Sequence, residues 1–168
     1  MPVQVGDAAP EFELLGKEWG REAPTHKLSD ALAQGGVVLQ FFPAPFTGTC
    51  EAQMCAVRDH IDDYKGAGVT VYGVTGHYPM LLKAWDDQHH FGAEILADYD
   101  HEVSRAYVGI YEDVLPAGLR LCAKRGVIGI SRDGVVRSVW ISEIPRVGPD
   151  QDVIDEAIAA AKGDRPGS

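Results

Sequence analysis

The sequence of 168 residues has little cysteine and no long apolar run. Its three cysteines are Cys50, Cys55 and Cys122. So small and odd a number does not suit the disulfide framework of a secreted domain. No apolar stretch approaches the ~20 residues that a membrane-spanning helix needs. The first residues also lack the basic and apolar segments of a signal peptide. We therefore expect a cytoplasmic protein without a membrane partner.

Basic residues are scarce as well. Fifteen Lys and Arg stand against 25 Asp and Glu, which gives a formal net charge of -10 and a pI near 4.9. An acidic surface repels phosphate backbones, so we expect no nucleic-acid partner. The length and the 45% hydrophobic content fit one domain with a sizeable core. We expect that domain to cover residues 1–162 and residues 163–168 to form a flexible tail.

Two motifs that would indicate other chemistry are missing. There is no Cys-x-x-Cys sequence, which a thioredoxin-like disulfide oxidoreductase requires. No set of His and Cys has zinc-site spacing, and adjacent His89 and His90 would point about 100° apart on a helix. We therefore expect neither a metal nor a cofactor. A catalytic or a redox-sensing role for the cysteines stays open.

The apolar periodicity predicts strands that alternate with helices. The predicted strands cover 37–42, 69–74, 95–97, 127–131 and 135–141, and the predicted helices cover 50–64, 79–89, 101–108 and 153–161. Residues 111–124 have no clear period and are expected to form a long loop. Asp133-Gly134 indicates a hairpin turn between the last two strands. This order predicts an α/β sandwich with a central mixed sheet flanked by helices.

The segment between the first buried strand and the following helix has the composition of a reactive-thiol site. Cysteine attacks as the thiolate, which unpaired N–H groups and the dipole stabilise at a helix N-terminus, where Cys50 is expected. The hydroxyl groups of Thr47 and Thr49 could bind a sulfur or a substrate oxygen. Prolines at 43 and 45 would stiffen the loop. Apolar walls would come from the phenylalanines at 41, 42 and 46.

These residues bring the chain into resemblance with a known family. Pro43, Thr47 and Cys50 stand in the Pro-x-x-x-Thr-x-x-Cys pattern of peroxiredoxins. Residues 5–12 resemble the first strand of that family, and residues 124–134 resemble its late hairpin. The region around Cys50 is similar to alkyl hydroperoxide reductase E, whereas the Cys50–Cys55 spacing resembles bacterioferritin comigratory protein (peroxiredoxin Q).

The resemblance implies a thioredoxin-like three-layer sandwich and a role for each matching residue. Cys50 resembles the peroxidatic cysteine, and Arg125 is similar to the arginine that holds the thiolate and polarises the peroxide. Thr47 resembles the hydroxyl that orients the peroxide, Pro43 the shield over the sulfur, and Gln53 the amide bonded to the arginine. The implied substrates are hydroperoxides, the implied reductant is thioredoxin or another dithiol, and relatives occur as monomers and homodimers.

The thiol that resolves the oxidised Cys50 is open between three sources. Cys55 is the first candidate, but on an ideal helix its Cα would lie roughly 8.7 Å from that of Cys50. Because a disulfide rarely bridges more than about 7 Å, this pairing requires the helix to unwind locally. Cys122 is the second candidate, and an external thiol is the third.

Simpler alternatives remain for several of these residues. Cys50 could be a buried structural thiol, or an oxidation sensor without turnover. Arg125 could be a surface ion-pair partner. Arg58 could make a second contact near the site or pair with Asp62 four residues along the helix.

Overall fold

The computed structural model describes residues 1–112 and 120–163. The strands are β1 (Glu13–Leu15), β2 (Thr25–Lys27), β3 (Gly36–Phe41), β4 (Val69–Thr75), β5 (Glu94–Ala97), β6 (Ile110–Tyr111), β7 (Cys122–Ala123), β8 (Gly126–Ile130) and β9 (Val136–Ile141). The helices are α1 (Leu28–Leu32), α2 (Gly48–Gly66), α3 (Pro79–His89), α4 (Glu102–Tyr107) and α5 (Gln151–Ala161). Over the described residues, no helix is both long and apolar enough to cross a membrane.

A five-stranded mixed sheet forms the centre, in the order β5-β4-β3-β8-β9. Strand β3 pairs in parallel with β4, and β4 pairs in parallel with β5. Strand β8 runs antiparallel to both β3 and β9. In this register Phe41 at the end of β3 lies opposite Gly126 at the start of β8. The loop that leaves β3 and the residue before β8 therefore lie side by side at the same end of the two strands.

The helices cover both faces of the sheet, which confirms the predicted sandwich of three layers. Helices α2, α3 and α5 pack on one face, in a cluster with Val38, Phe42 and Cys50. Helices α1 and α4 pack on the other face with Leu39 and Phe41. Side chains alternate between the two faces along a strand, so Gln40 shares the face of Val38 and Phe42.

Most predicted elements are present with boundaries moved by one or two residues. The helix expected at 50–64 extends from Gly48 to Gly66, and the helix at Pro79–His89 is as predicted. The last two strands form a hairpin whose turn contains Gly134 at φ 81°, a conformation that glycine adopts readily. Helix α5 begins earlier than expected because the Asp150 carboxylate caps it by accepting from the Val153 amide at 3.0 Å.

Two sequence-based expectations are wrong. The strand that the resemblance implied over residues 5–12 is reduced to a single bridge between Ala8 and Val135, because Gly6 turns at φ 99° and Pro10 has no N–H to donate. The loop expected over residues 111–124 begins and ends in an antiparallel ribbon of β6 with β7. Strands of two residues show no readable periodicity. Residues 113–119, and 164–168 of the expected tail, lie outside the described residues.

Candidate active site around Cys50

Cys50 lies in the first turn of α2, immediately after the loop that leaves β3. Thr47 is the N-cap residue in an extended conformation, and its carbonyl accepts from the Glu51 amide at 2.8 Å. The cysteine is 1% exposed and belongs to the apolar cluster beneath the helix. The free N–H groups of a first helical turn favour a negative charge, so this position suits a thiolate.

Arg125 provides the cation for this sulfur. Its Nη1 donates to Cys50 Sγ at 3.2 Å, and its Nε donates to the Pro145 carbonyl at 2.9 Å. The side chain is buried, and the antiparallel register of β3 and β8 places it beside the β3 loop although 75 residues separate it from Cys50. The guanidinium therefore presents a positive charge and an N–H donor directly to the sulfur.

A chain of amides continues from the arginine into the core. Arg125 Nη1 also donates to Gln53 Oε1 at 3.0 Å, and Gln53 Nε2 donates to Gln40 Oε1 at 2.7 Å and to the Phe41 carbonyl at 3.3 Å. Both glutamines are buried. Gln53 is one turn beyond Cys50 on α2, as its expected contact with the arginine requires. Gln40 was missed in the sequence; the available signal was one polar residue within an otherwise apolar strand.

Pro43 is buried at the start of the loop and is held through its carbonyl. That oxygen accepts from Thr75 Oγ1 at 3.4 Å and contacts His77 Nε2 at 3.1 Å. Burial lowers the pKa of His77, the contact with Pro43 opposes this, and nearby His101 lowers it further. A neutral imidazole that faces a carbonyl must carry its proton on Nε2. The proline is therefore anchored from the end of β4.

The rest of the loop is more open than the sequence indicated. Thr47 is exposed, and its hydroxyl donates to the Ala44 carbonyl at 2.9 Å rather than capping α2. The expectation of three phenylalanine walls is wrong for two of them. Phe41 points to the opposite face of the sheet, and Phe46 is 45% exposed at φ 63°. Phe42 alone of the three lies in the cluster that contains Cys50.

The other two cysteines are free thiols in different surroundings. Cys55 is half-buried on α2 and packs against the apolar cluster of Cys50. Cys122 is buried in β7, and its thiol donates to the Arg120 carbonyl at 3.6 Å. Burial raises the pKa of Cys122, and the charge of Cys50 raises it further.

Two further residues connect α2 with α3. Glu51 Oε1 accepts from Trp85 Nε1 at 3.3 Å and contacts His89 Nε2 at 3.2 Å. Arg58 donates to the His89 carbonyl at 3.1 Å and forms an ion pair with Asp59, whereas the sequence had left open a pair with Asp62 or a second contact near the site. Glu51 was not identified from the sequence, because its partners lie more than 30 residues away.

Comparison with known proteins identifies the class to which this fold and site belong. The chain matches the AhpC/TSA family over residues 5–139. It is 32% identical to the peroxiredoxin Bcp of Escherichia coli K12 over 63% of this chain and 65% of that protein, so the match spans less than two thirds of that relative's length. It is 29% identical to alkyl hydroperoxide reductase E of Mycobacterium tuberculosis, over 94% of this chain and 97% of that protein.

Solved structures agree with the sequence matches. The crystal structure of the peroxidoxin BcpB from Mycobacterium tuberculosis superposes with a TM-score of 0.78 at 25% identity, over 96% of this chain and 98% of that one. A reduced 2-Cys peroxiredoxin from Plasmodium vivax has the same fold, with a TM-score of 0.78 at 21% identity over 96% of this chain and 83% of that one. The chain therefore belongs to the AhpC/TSA family, and it is a thioredoxin-like peroxiredoxin similar to the Bcp and alkyl hydroperoxide reductase E branches.

Proposed function

We propose that this protein is a thiol peroxidase that reduces hydrogen peroxide and organic hydroperoxides at Cys50. The observation that carries the proposal is the contact of 3.2 Å between Arg125 Nη1 and Cys50 Sγ at the start of α2. A helix N-terminus and a buried guanidinium together keep the sulfur nucleophilic. The family match over residues 5–139 supports the same chemistry.

In the first step the Cys50 thiolate attacks the terminal oxygen of the hydroperoxide ROOH. The S–O bond forms as the O–O bond breaks, so Cys50 becomes a sulfenic acid and RO⁻ leaves. The peroxide is reduced by two electrons that the sulfur supplies, and RO⁻ takes a proton from solvent to become ROH. Arg125 stabilises both the thiolate and the charge that develops on the leaving oxygen. Thr47 orients the peroxide, and Pro43 shields the sulfur.

In the second step the Cys55 thiol condenses with the sulfenic acid. An S–S bond forms and the sulfenic oxygen leaves as water. Both residues lie within the continuous helix α2, so its first turns must unwind for the sulfurs to meet. The half-buried position of Cys55 leaves it accessible once that turn opens. Cys122 and an external thiol are the alternative resolving groups.

An external dithiol protein such as thioredoxin then reduces the disulfide and returns both thiols. We assign the protein to antioxidant defence in the cytoplasm, as a monomer or a homodimer. The similarity to bacterial peroxiredoxins supports this assignment, and the net charge of -10 disfavours nucleic-acid and membrane partners.

Peroxide consumption with dithiothreitol or thioredoxin as the reductant tests this function. The wild-type protein should turn over repeatedly, and Cys50→Ser should consume no peroxide above the background rate. Cys55→Ser should oxidise once and then turn over only with a small external thiol, whereas Cys122→Ser should behave as the wild type. Equal turnover by Cys50→Ser and the wild type would refute the proposal, and a Cys50–Cys122 linkage in peptide maps would reassign the resolving thiol.

A further inference from the structure

Gln40 is a fully buried amide in the central strand of the sheet. It is 0% exposed, and its neighbours across β3 are Gly73 on β4 and Val127 on β8. Its side chain shares the sheet face of α2, the helix that carries Cys50. Burial of an amide is unfavourable unless its polar atoms are hydrogen-bonded, so the contacts of this side chain decide its role.

The contacts fix the orientation of the Gln53 amide and then that of the Gln40 amide. A guanidinium can only donate hydrogen bonds, so the atom of Gln53 that meets Arg125 Nη1 must be its carbonyl Oε1. The NH₂ group of Gln53 then points the other way, where Gln40 Oε1 accepts from it at 2.7 Å. Gln40, through a shorter contact than the 3.3 Å one to the Phe41 carbonyl, thus holds the rotamer in which Gln53 accepts from the same Nη1 that contacts Cys50 Sγ.

The NH₂ group of Gln40 is unfavourably placed. Within residues 1–112 and 120–163, Gln40 Nε2 has no hydrogen-bond partner although it is buried. An unpaired buried donor destabilises a fold, and an apolar side chain of the same shape would avoid it. A residue that is unfavourable for stability and yet contacts a functional network is most simply explained by function.

We propose that Gln40 is a positioning residue for peroxide reduction, acting through Gln53 on the Arg125 guanidinium that faces Cys50. This inference rests on the proposed roles of Cys50 and Arg125. A displaced Gln53 would leave Nη1 free to turn away from the sulfur, and the thiolate and the leaving oxygen would both be less well stabilised. Gln40 does not touch the reacting atoms itself.

The test replaces Gln40 by methionine, which has similar length and no polar donor. Stopped-flow measurement should show Gln40→Met attacking hydrogen peroxide about three- to tenfold more slowly than the wild type. Its Tm should stay close to that of the wild type, because the unpaired Gln40 amide is removed while one N–H of Gln53 loses its acceptor. Leu39→Met is the matched control on the opposite face of β3 and should keep the wild-type rate. Gln40→Leu serves as a second variant with the same expected result.

A double-mutant cycle separates positioning from general disruption. In the Arg125→Ala background, Gln40→Met should cause no further loss of rate, since Gln40 acts through the missing guanidinium. Losses that multiply, an unchanged rate in Gln40→Met, or a slower rate with a lowered Tm would each overturn the inference. Absence of any peroxide reaction in the wild type would instead overturn the proposed function.

Discussion

The first two turns of α2 have two sides that differ in burial and in role. On one side Cys50 and Gln53 are buried and join Arg125 through contacts of 3.0–3.2 Å. On the other side Glu51 is 34% exposed and binds Trp85 and His89 on α3. The first network contacts the sulfur, whereas the second connects α2 with α3. In the proposed mechanism these turns must be rigid for peroxide attack and must open for disulfide formation, and each side of the helix would serve one of these two requirements.

The largest effect should come from removing the buried contact between Arg125 and Cys50. Arg125→Ala removes the cation proposed to stabilise the reacting sulfur and the leaving oxygen, so the rate of peroxide attack should fall by about 10²–10³. Stopped-flow kinetics with hydrogen peroxide measures it. Arg58→Ala is the matched control, because that guanidinium contacts Asp59 and His89. Equal losses in the two variants would contradict the special role of Arg125.

The next effect concerns the exposed loop above the sulfur. Thr47→Val removes a hydroxyl proposed to orient the peroxide, together with its contact to the Ala44 carbonyl. One lost hydrogen bond of about 1 kcal/mol corresponds to a rate roughly fivefold lower. Thr49→Val, two residues along, loses only a long contact to the Arg146 carbonyl and should keep the rate. A Thr47→Val enzyme as fast as the wild type would remove Thr47 from the mechanism.

A smaller effect, an increase in rate rather than a loss, is expected when the contacts between α2 and α3 are removed. Glu51→Ala removes the contacts to Trp85 and His89 and an acidic residue from the first turn, so α2 should unwind more readily. Formation of the Cys50–Cys55 disulfide should then be about two- to threefold faster, while the initial peroxide attack stays unchanged. Rapid quench followed by peptide mapping separates the two steps, with exposed Glu18→Ala as the control. Slower disulfide formation in Glu51→Ala would exclude this function of Glu51.

The smallest effect tests Cys122, the buried thiol whose pKa is affected by Cys50. Burial raises its pKa above the ordinary value of 9.0, so this thiol ionises at a lower pH in the unfolded chain than in the folded protein. The contribution of this thiol to the free energy of unfolding is therefore fully present below pH 9.0, and it is lost as the pH rises through the folded-state pKa. Alkylation of Cys122 in the native protein should therefore lag behind that in the denatured chain around pH 9.0. Simultaneous alkylation of both forms would contradict this.

Whether a feature of the fold or the site could be predicted from the sequence depends on how far apart in the chain the interacting residues are. The five strands of the central sheet and helices α2 to α5 are local patterns and were predicted within one or two residues, because apolar spacing records which face is buried. Helix α1 and the pair of β1 with β2 are short and were not predicted. The Cys50 loop was also recognisable, since its Pro-x-x-x-Thr-x-x-Cys pattern is continuous. Arg125 was found only through resemblance, because nothing in its own segment indicates a contact 75 residues away.

The residues that sequence reasoning missed are polar groups with distant partners. Gln40 interrupts an apolar strand, and Glu51 looks like an ordinary acidic residue at a helix start; neither shows its partner in the sequence. The short ribbon of β6 with β7 escaped detection because two-residue strands carry no periodicity. Packing decides these features: the register of β3 against β8 fixes which side chains meet.

The most direct test of the account locates the first oxidation. Reduced Cys55→Ser protein receives one equivalent of hydrogen peroxide and is trapped with dimedone, and the modified peptide is identified by mass spectrometry. The account predicts a sulfenic acid adduct on Cys50, formed far faster than in the same protein carrying Arg125→Ala. A Cys50 that remains a thiol while the oxygen appears on Cys122, or rates that do not depend on Arg125, would contradict it.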